Sequence, residues 1–415
     1  MPDNKTDKDE FEFLNTAIWL DYSQQRYLSP EEMRYRLKQQ GNLPTDWSEL
    51  SKKIVQYRKI GSILLFIPCI HKKFWYFPSD SLTRKLVEIE RVGMELYRQI
   101  HSHSLFNEEF LLASAMEEAI TSAIYEGAHS TRAQAQQLIA SGNKPKNKDE
   151  WMLVNNFRAM QWVQSNRIAG ISKELILDLH RMVTENTMES DDAHFSGKFR
   201  NSRVFVGQHE GIQHELIERA IDEAILLITQ NLRYIHPLLK GILFHYFIAY
   251  IHPFFDGNGR TARALFYFNS MRNHLDYVQL LSVSAYLKEH GSQYEKAFEK
   301  VVSNDLDVTY FIDFCLDSID SALLAVSKKV KYLSKITELK EKLPLTSNQV
   351  GLLQRMALHK FRAISIEEYA EQISMSREVA RQELKQLTDL GLVQESKLGK
   401  KFVYRINKPS LDRMI

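Results

Sequence analysis

The chain is poor in cysteine, close to neutral, and without a long hydrophobic run. Its 415 residues include two cysteines, Cys69 and Cys315, each set in an apolar stretch. That argues against a disulfide framework or a cysteine metal site and points to a reducing compartment. The formal net charge is +2, so no global electrostatic pull toward nucleic acid or membrane exists. Any such affinity would have to reside in a local patch. The longest apolar stretches, Ser62 to Ile70 and Leu238 to Ile251, are too short or too interrupted to span a bilayer. The opening MPDNKTDKDEFEF has no apolar signal core. A soluble, cytoplasmic protein with no membrane partner is expected. No internal repeat, low-complexity tract or GxxxxGK[ST] phosphate loop is present, so any nucleotide chemistry belongs to a different loop type. What remains is ordinary globular composition, 44% hydrophobic and 26% charged, in a chain long enough for two or three domains.

Residues 1–9 are polar and expected to form a disordered tail. Residues 10–88 read as a mixed α/β module. Leu28-Ser-Pro-Glu-Glu-Met is a capped helix start, and Ser62-Ile-Leu-Leu-Phe-Ile with Lys73-Phe-Trp-Tyr-Phe, parted by Pro68, reads as a hairpin. This module shows no chemistry and suits docking or a helix-turn-helix-like role. Residues 89–326 are overwhelmingly helical, with apolar positions at three and four such as Leu111, Leu112, Ala115, Ala119 and Ile120. Ser196 to Gly207 interrupts them as a short β element, because Val204, Phe205 and Val206 favour a strand. Residues 327–344 read as a lysine-rich linker helix stopped by Pro344. Residues 345–408 run helix, helix, helix, hairpin, in the order of a winged helix-turn-helix. The expected fold is mainly α, a helical core with a small β-hairpin flap, plus this C-terminal module.

The chemistry concentrates in Ile251-His-Pro-Phe-Phe-Asp-Gly-Asn-Gly-Arg-Thr-Ala-Arg263. An apolar helix arrives at His252 and is stopped by Pro253. Gly257 and Gly259 bracket Asn258 in a turn whose N–H groups can converge. A helix then resumes through Thr261 and Ala262, and its N-terminal amides and dipole favour an anion. Arg260 and Arg263, three apart, share a face and can both reach oxygens there. Such a site suits a polyphosphate, with Asp256 placed to hold Mg²⁺ and His252 able to take a proton near neutral pH. Taken singly, these residues also read as a core histidine, a capping aspartate and two solvated arginines. Their convergence in twelve residues makes that reading poor.

His252-Pro-Phe-x-Asp-Gly-Asn-Gly-Arg-x-x-Arg263 resembles the signature of the Fic family at every fixed position. The likeness extends over roughly residues 82–326. His236-Pro237 precedes the apolar helix, and Gly197-Lys-Phe-Arg-x-x-x-Val-x-Val-Gly207 is similar to the family's β-hairpin flap. The resemblance implies a protein adenylyltransferase that moves AMP from ATP, with Mg²⁺, to a hydroxyl side chain of a target protein. His252 would be the general base and Asp256 the metal ligand. Gly257, Asn258, Gly259, Thr261 and Ala262 would line the nucleotide site, with Arg260 on the β-phosphate and Arg263 on the γ. The flap, including Val206, Gly207, Gln208 and His209, would hold a target segment as an added strand. Tyr294 and Asn304 fall where relatives contact adenosine, although Gln293 stands where a second tyrosine is usual.

Ser122-Ala-Ile-Tyr-Glu126-Gly127 is similar to the family's inhibitory pattern. The resemblance implies that Glu126 pairs with Arg263 and occupies the guanidinium meant for the γ-phosphate. Some relatives use the same glutamate to remove AMP. A lone reading of Glu126 is an exposed acid at a helix end capped by Gly127.

His209-Glu-Gly-Ile-Gln-His214 has the wrong spacing for a zinc helix, and His245 on the apolar helix reads as a satisfied core residue. In the C-terminal module Arg377, Arg381 and Lys385 recur at four, with Lys397, Lys400 and Lys401 in the wing. That is a stripe DNA phosphates could meet, but Glu378 and Glu383 dilute it and winged helices also dock proteins. A homodimer stays open. Transfer of another nucleotide monophosphate, the reverse reaction, or a nucleotide-sensing DNA-binding regulator are the competing readings. Asn258 argues against the kinase-like branch, which places lysine there.

Overall fold

The computed structural model describes residues 17–102, 107–207, 209–230, 233–358, 363–398 and 401–415. The expected tail 1–9, the first residues of the 10–88 module, Gln208 of the flap and Lys400 of the wing lie outside the described residues. The chain divides into two compact units. One comprises the described part of 1–91 with 165–275 and 286–320, and the other comprises 92–164, 276–285 and 321–415.

At the centre of the first unit, helices Pro237–Ile251 and Asn258–Arg272 pack against each other as a hairpin. Both are buried on nearly every side; the first is apolar all round, and a helix of that kind is stable only when surrounded, while the second also buries polar side chains such as Asn258, Arg260 and Arg263. One flank is covered by strands Ile63–Ile67 and Lys72–Tyr76, paired antiparallel from Ile63↔Tyr76 to Ile67↔Lys72. Phe74 from this expected hairpin makes edge contacts with Tyr246, Phe247 and Tyr250 at 5.8, 5.4 and 5.0 Å between ring centroids. The N-terminal segment thus buttresses the helix that ends at His252.

That segment is fixed by local and distant bonds. Ser29 caps helix Pro30–Gln39 in a capping box, its Oγ accepting from Glu32 N–H at 3.3 Å while Glu32 Oε2 accepts from Ser29 N–H at 2.9 Å. Trp19, Tyr22, Tyr27, Met33, Leu37, Ile54, Trp75, Phe77 and Tyr310 close around it as one apolar cluster. Arg58 is buried beside this cluster, and its charge is satisfied by the carbonyls of Tyr22 (2.7 Å) and Leu28 (2.9 Å) and by Ser23 Oγ (3.1 Å). Tyr27 Oη donates to Asp307 Oδ2 at 2.5 Å, and Thr309 N–H donates to Asp307 Oδ1 at 3.0 Å. Burial pushes the Asp307 carboxyl up to about 6, although these donors and Arg58 pull the other way.

In the second unit, helices Asn107–Tyr125, Arg132–Ser141 and Lys148–Ser165 share a core of Met116, Ile120, Ala123, Ala135, Met152 and Leu153. The C-terminal part runs Ser347–Leu358, strand Ile364–Ser365, Ile366–Gln372 and Arg377–Asp389, followed by strands Val393–Leu398 and Lys401–Ile406. Lys401–Ile406 lies between the other two strands in an antiparallel sheet. The short strand Ile364–Ser365 adds to the helices and hairpin read from sequence. The lysine-rich stretch expected to start at 327 is the second half of one helix, Thr309–Lys342. Leu316, Ile319, Leu323, Val326, Val330, Leu333 and Ile336 keep its buried stripe unbroken, and neither Gly nor Pro intervenes. Both cysteines are unpaired. Among the described residues, no helix is long and apolar enough to cross a membrane.

Candidate active site

Helix Pro237–Ile251 ends at His252, which takes a left-handed conformation (φ +51°, ψ +62°), its N–H donating to Ile248 O at 3.0 Å. This turn, followed by Pro253, throws the chain out of the helix axis. Asn258 then closes the loop upon itself. Its Oδ1 accepts from Phe254 N–H at 3.0 Å and its Nδ2 donates to Phe254 O at 2.8 Å. Gly257 precedes the next helix with φ +79°, and a Cβ there would lie 2.5 Å from Thr184 Cγ2, so the position accepts only glycine. The first intrahelical bond runs from Thr261 N–H to Gly257 O at 2.9 Å. The N–H groups of Asn258, Gly259 and Arg260 therefore form the helix mouth, where an anion is favoured.

Asp256 and Arg260 are paired across this mouth. Asp256 Oδ1 accepts from Gly257 N–H at 2.5 Å and from Arg260 Nη2 at 3.0 Å. Arg260 is enclosed: Nη1 donates to Val183 O at 2.8 Å and Thr187 Oγ1 at 3.3 Å, and Nε is buried with no partner among the described residues. Thr261, Ala262 and Arg263 are buried as well. His252 Nδ1 lies 3.4 Å from Ala249 O. A carbonyl only accepts, so this contact places a proton on Nδ1.

His245 behaves as a core residue, as its apolar helix suggested. Its Nε2 meets Tyr294 Oη at 2.9 Å, and burial first, with Arg263 second, pushes the imidazole down to about 3. Tyr294 stands in an aromatic group with Phe298, Phe311 and Phe314. The Asn304 amide donates to Lys300 O at 2.8 Å and to Ser303 Oγ at 3.2 Å, at the end of its own helix, and not to the 252–263 loop. Ser122, Glu126 and Gly127 belong to the second unit. Ser122 is buried and Glu126 is exposed just past helix Asn107–Tyr125, with its N–H on Ser122 O at 3.2 Å. Gly127 ends the helix with φ +97°.

The flap is a hairpin of Phe205–Val206 and His209–Glu210, with Phe205 opposite Glu210, turning at Gly207 (φ +57°). Arg200, to which sequence reasoning gave no role, bolts it to the histidine turn. Its N–H donates to Pro253 O at 2.9 Å, Nε to His252 O at 2.7 Å, Nη1 to Ser202 O at 2.6 Å, and Nη2 to Ile212 O. Gly211 lets the return strand approach, since a Cβ there would sit 2.8 Å from Arg200 Nη2 and 3.2 Å from His252 Cβ. His180 was missed too. It lies flat on Phe254, 3.6 Å between centroids and 3° between planes, with Nδ1 accepting from Gly197 N–H at 3.0 Å and Nε2 at 2.9 Å from Asp256 O. Burial pushes it down to about 4, so it is neutral. A lone histidine on an apolar helix carries no pattern that would single it out, whereas Arg200 stands in the flap pattern Gly197-Lys-Phe-Arg without a visible role.

Among the described residues, no group of three or more His, Cys, Asp or Glu side chains could hold a metal ion. His209 is on a strand and His214 opens the short turn His214–Leu216, so they do not share a helix. Asp256 is one carboxylate, 43% exposed, with Oδ1 committed to Gly257 and Arg260. One half-exposed oxygen donor suits a Mg²⁺ that keeps water and phosphate oxygens, and does not suit a caged metal.

A model described as the Fic/DOC family matches residues 170–269, the segment that runs from the His180 helix through the flap to the arginine pair. The protein adenylyltransferase Fic of Drosophila grimshawi is 28% identical over 210 residues, covering 48% of this chain and 39% of that protein. Its namesake from Nematostella vectensis is 33% identical over 111 residues, covering 26% and 25%. The chain thus spans less than half the length of these curated relatives. Among solved structures, a Fic family protein from Desulfovibrio desulfuricans G20 has a TM-score of 0.55 at 17% identity, covering 80% of this chain and 97% of that one. Fic-1 from C. elegans has a TM-score of 0.50 at 16% identity, covering 69% and 78%. These two likenesses concern the fold. Residues 170–269 are a domain of the Fic/DOC family.

Proposed function

We propose that this site transfers AMP from ATP to a Ser, Thr or Tyr hydroxyl of a target protein. One observation carries the reading: a single loop sets the His252 imidazole, a half-exposed carboxylate and a helix mouth in succession from His252 to Arg260. The target oxygen attacks the α-phosphorus and its proton passes to His252 Nε2. The bond from the α-phosphorus to the bridging oxygen breaks, and pyrophosphate leaves. The N–H groups of 258–260 receive phosphate oxygens, and Arg263 takes the far phosphate. Most of the acceleration then comes from positioning and charge neutralisation. When bound, Mg²⁺ on Asp256 supplies neutralisation of phosphate charge. The exposed Phe205 strand offers an edge onto which a target segment can add. The name carried by the curated relatives supports the same transfer.

Glu126 acts in this reading as a brake on Arg263, as its sequence pattern implies. A carboxylate on that guanidinium would leave ATP misplaced, and about 1 Å of misplacement can cost on the order of 100-fold. Residues 345–408 serve in this reading as a winged helix. Arg377 is paired with Glu367, and Arg381 lies 4.0 Å from Glu378, which favours a protein-docking role over DNA. Intact mass spectrometry after incubation with ATP and Mg²⁺ tests the transfer: a gain equal to AMP, absent from His252→Ala, is expected. Nucleotide binding without any modified product would contradict it.

A further inference from the structure

We propose that His180 is a positioning residue for Asp256, acting through one peptide plane; the inference rests on the nucleotide-transfer reading above. His180 Nδ1 accepts from Gly197 N–H at 3.0 Å, so its proton is on Nε2, which donates to the Asp256 carbonyl at 2.9 Å. The Asp256–Gly257 peptide is planar and trans, so its carbonyl and its N–H point in opposite directions. Holding the carbonyl therefore aims the Gly257 N–H, and that N–H lies 2.5 Å from Asp256 Oδ1. The relay runs from Gly197 at the base of the flap, through the imidazole and the peptide, to the carboxylate proposed to hold Mg²⁺. Without it the plane would have unusual freedom, because Gly257 imposes no side-chain restraint on its own dihedrals.

The same helix, Lys173–Thr184, meets the loop at two further places. Thr184 stands where Gly257 would carry a Cβ, and Val183 O accepts from Arg260 Nη1 at 2.8 Å. Arg260 in turn donates to the same Oδ1. One helix end thus sets the backbone, the volume and the counter-ion of a single carboxylate. Partners that orient a metal ligand typically govern 10–100-fold in metal affinity.

The test uses α,β-methylene-ATP, which cannot transfer AMP, titrated calorimetrically into the full chain with Mg²⁺ and with EDTA. In the parent, Mg²⁺ is expected to tighten binding by about tenfold or more. His180→Leu, of similar bulk but without polar atoms, should lose most of that gain while metal-free binding changes less than about threefold. His180→Gln, which can both donate and accept, should keep most of the gain. A role confined to packing would weaken metal-free and metal-dependent binding alike, and that result overturns the inference, as does a Leu variant equal to the parent. Should His180→Leu fail to fold, the Gln variant decides: retained metal dependence supports the relay and its loss overturns it. A parent that binds no nucleotide at all would sink the transfer reading, and this inference with it.

Discussion

Arg260 Nη2 lies 3.0 Å from Asp256 Oδ1, a side chain 1% exposed reaching one that is 43% exposed. The guanidinium is anchored below by Val183 O and Thr187 Oγ1, so the carboxylate at the mouth is held from the interior. A lysine cannot make this fork, since it has one nitrogen where the geometry uses two. Arg260→Lys should fold with a lowered melting temperature and lose about 10- to 100-fold in transfer rate at limiting Mg²⁺. Assaying the variant across Mg²⁺ concentrations checks this, and a rate equal to the parent's at low Mg²⁺ would contradict it.

Gly257→Ala should be more damaging than an ordinary glycine substitution. The residue has φ +79° and its Cβ would press on Thr184 at 2.5 Å. Backbone strain alone costs about 1–3 kcal/mol. Pairing it with Thr184→Ala should restore part of the stability by removing the clash, while the strain remains. Urea unfolding of both single variants and the double variant checks this. No recovery in the double would show that Thr184 is not the obstacle.

Asp307 gives a pH signature far from the loop. Its folded value of about 6 lies above the ordinary 3.8, because burial disfavours the anion. A raised carboxyl contributes stability that is fully present below about pH 4 and is lost as pH rises through 6. Two units correspond to about 3 kcal/mol. Asp307→Asn cannot ionise, so its melting temperature relative to the parent should rise between pH 4.5 and 7.5. Tyr27, Thr309, Arg58 and Tyr310 face the group and are unchanged in this comparison. An offset that is the same at both pH values would contradict the account.

Glu126→Gly should raise self-modification by about 100-fold if the glutamate holds ATP askew. Labelling of the two proteins at equal ATP measures it. Equal incorporation would remove Glu126 from the regulatory role.

Much of the architecture was legible because hydrophobic spacing and helix punctuation are local. Ser29 before Pro30 foretold its helix, and Val204 to Val206 foretold a β element amid helices. The loop from His252 to Arg263 was legible because glycine, proline and charged residues adjoin in sequence as they do in space. His180 and the role of Arg200 were not legible, for they act mainly through backbone groups distant in sequence, and a backbone group leaves no residue-type signature. The enclosure of Arg260 also escaped, because its acceptors Val183 and Thr187 lie over seventy residues away. Lysines become frequent from 327, but exposed charge does not end a helix whose buried stripe continues, so the expected linker is part of the helix Thr309–Lys342.

The most direct test of the central claim is parallel incubation with ATP labelled at the α-phosphorus and with ATP labelled at the γ-phosphorus. The account predicts that protein gains the α label, keeps none of the γ label, and gains neither when His252 is alanine. Retention of the γ label, or α labelling that survives His252→Ala, would contradict it.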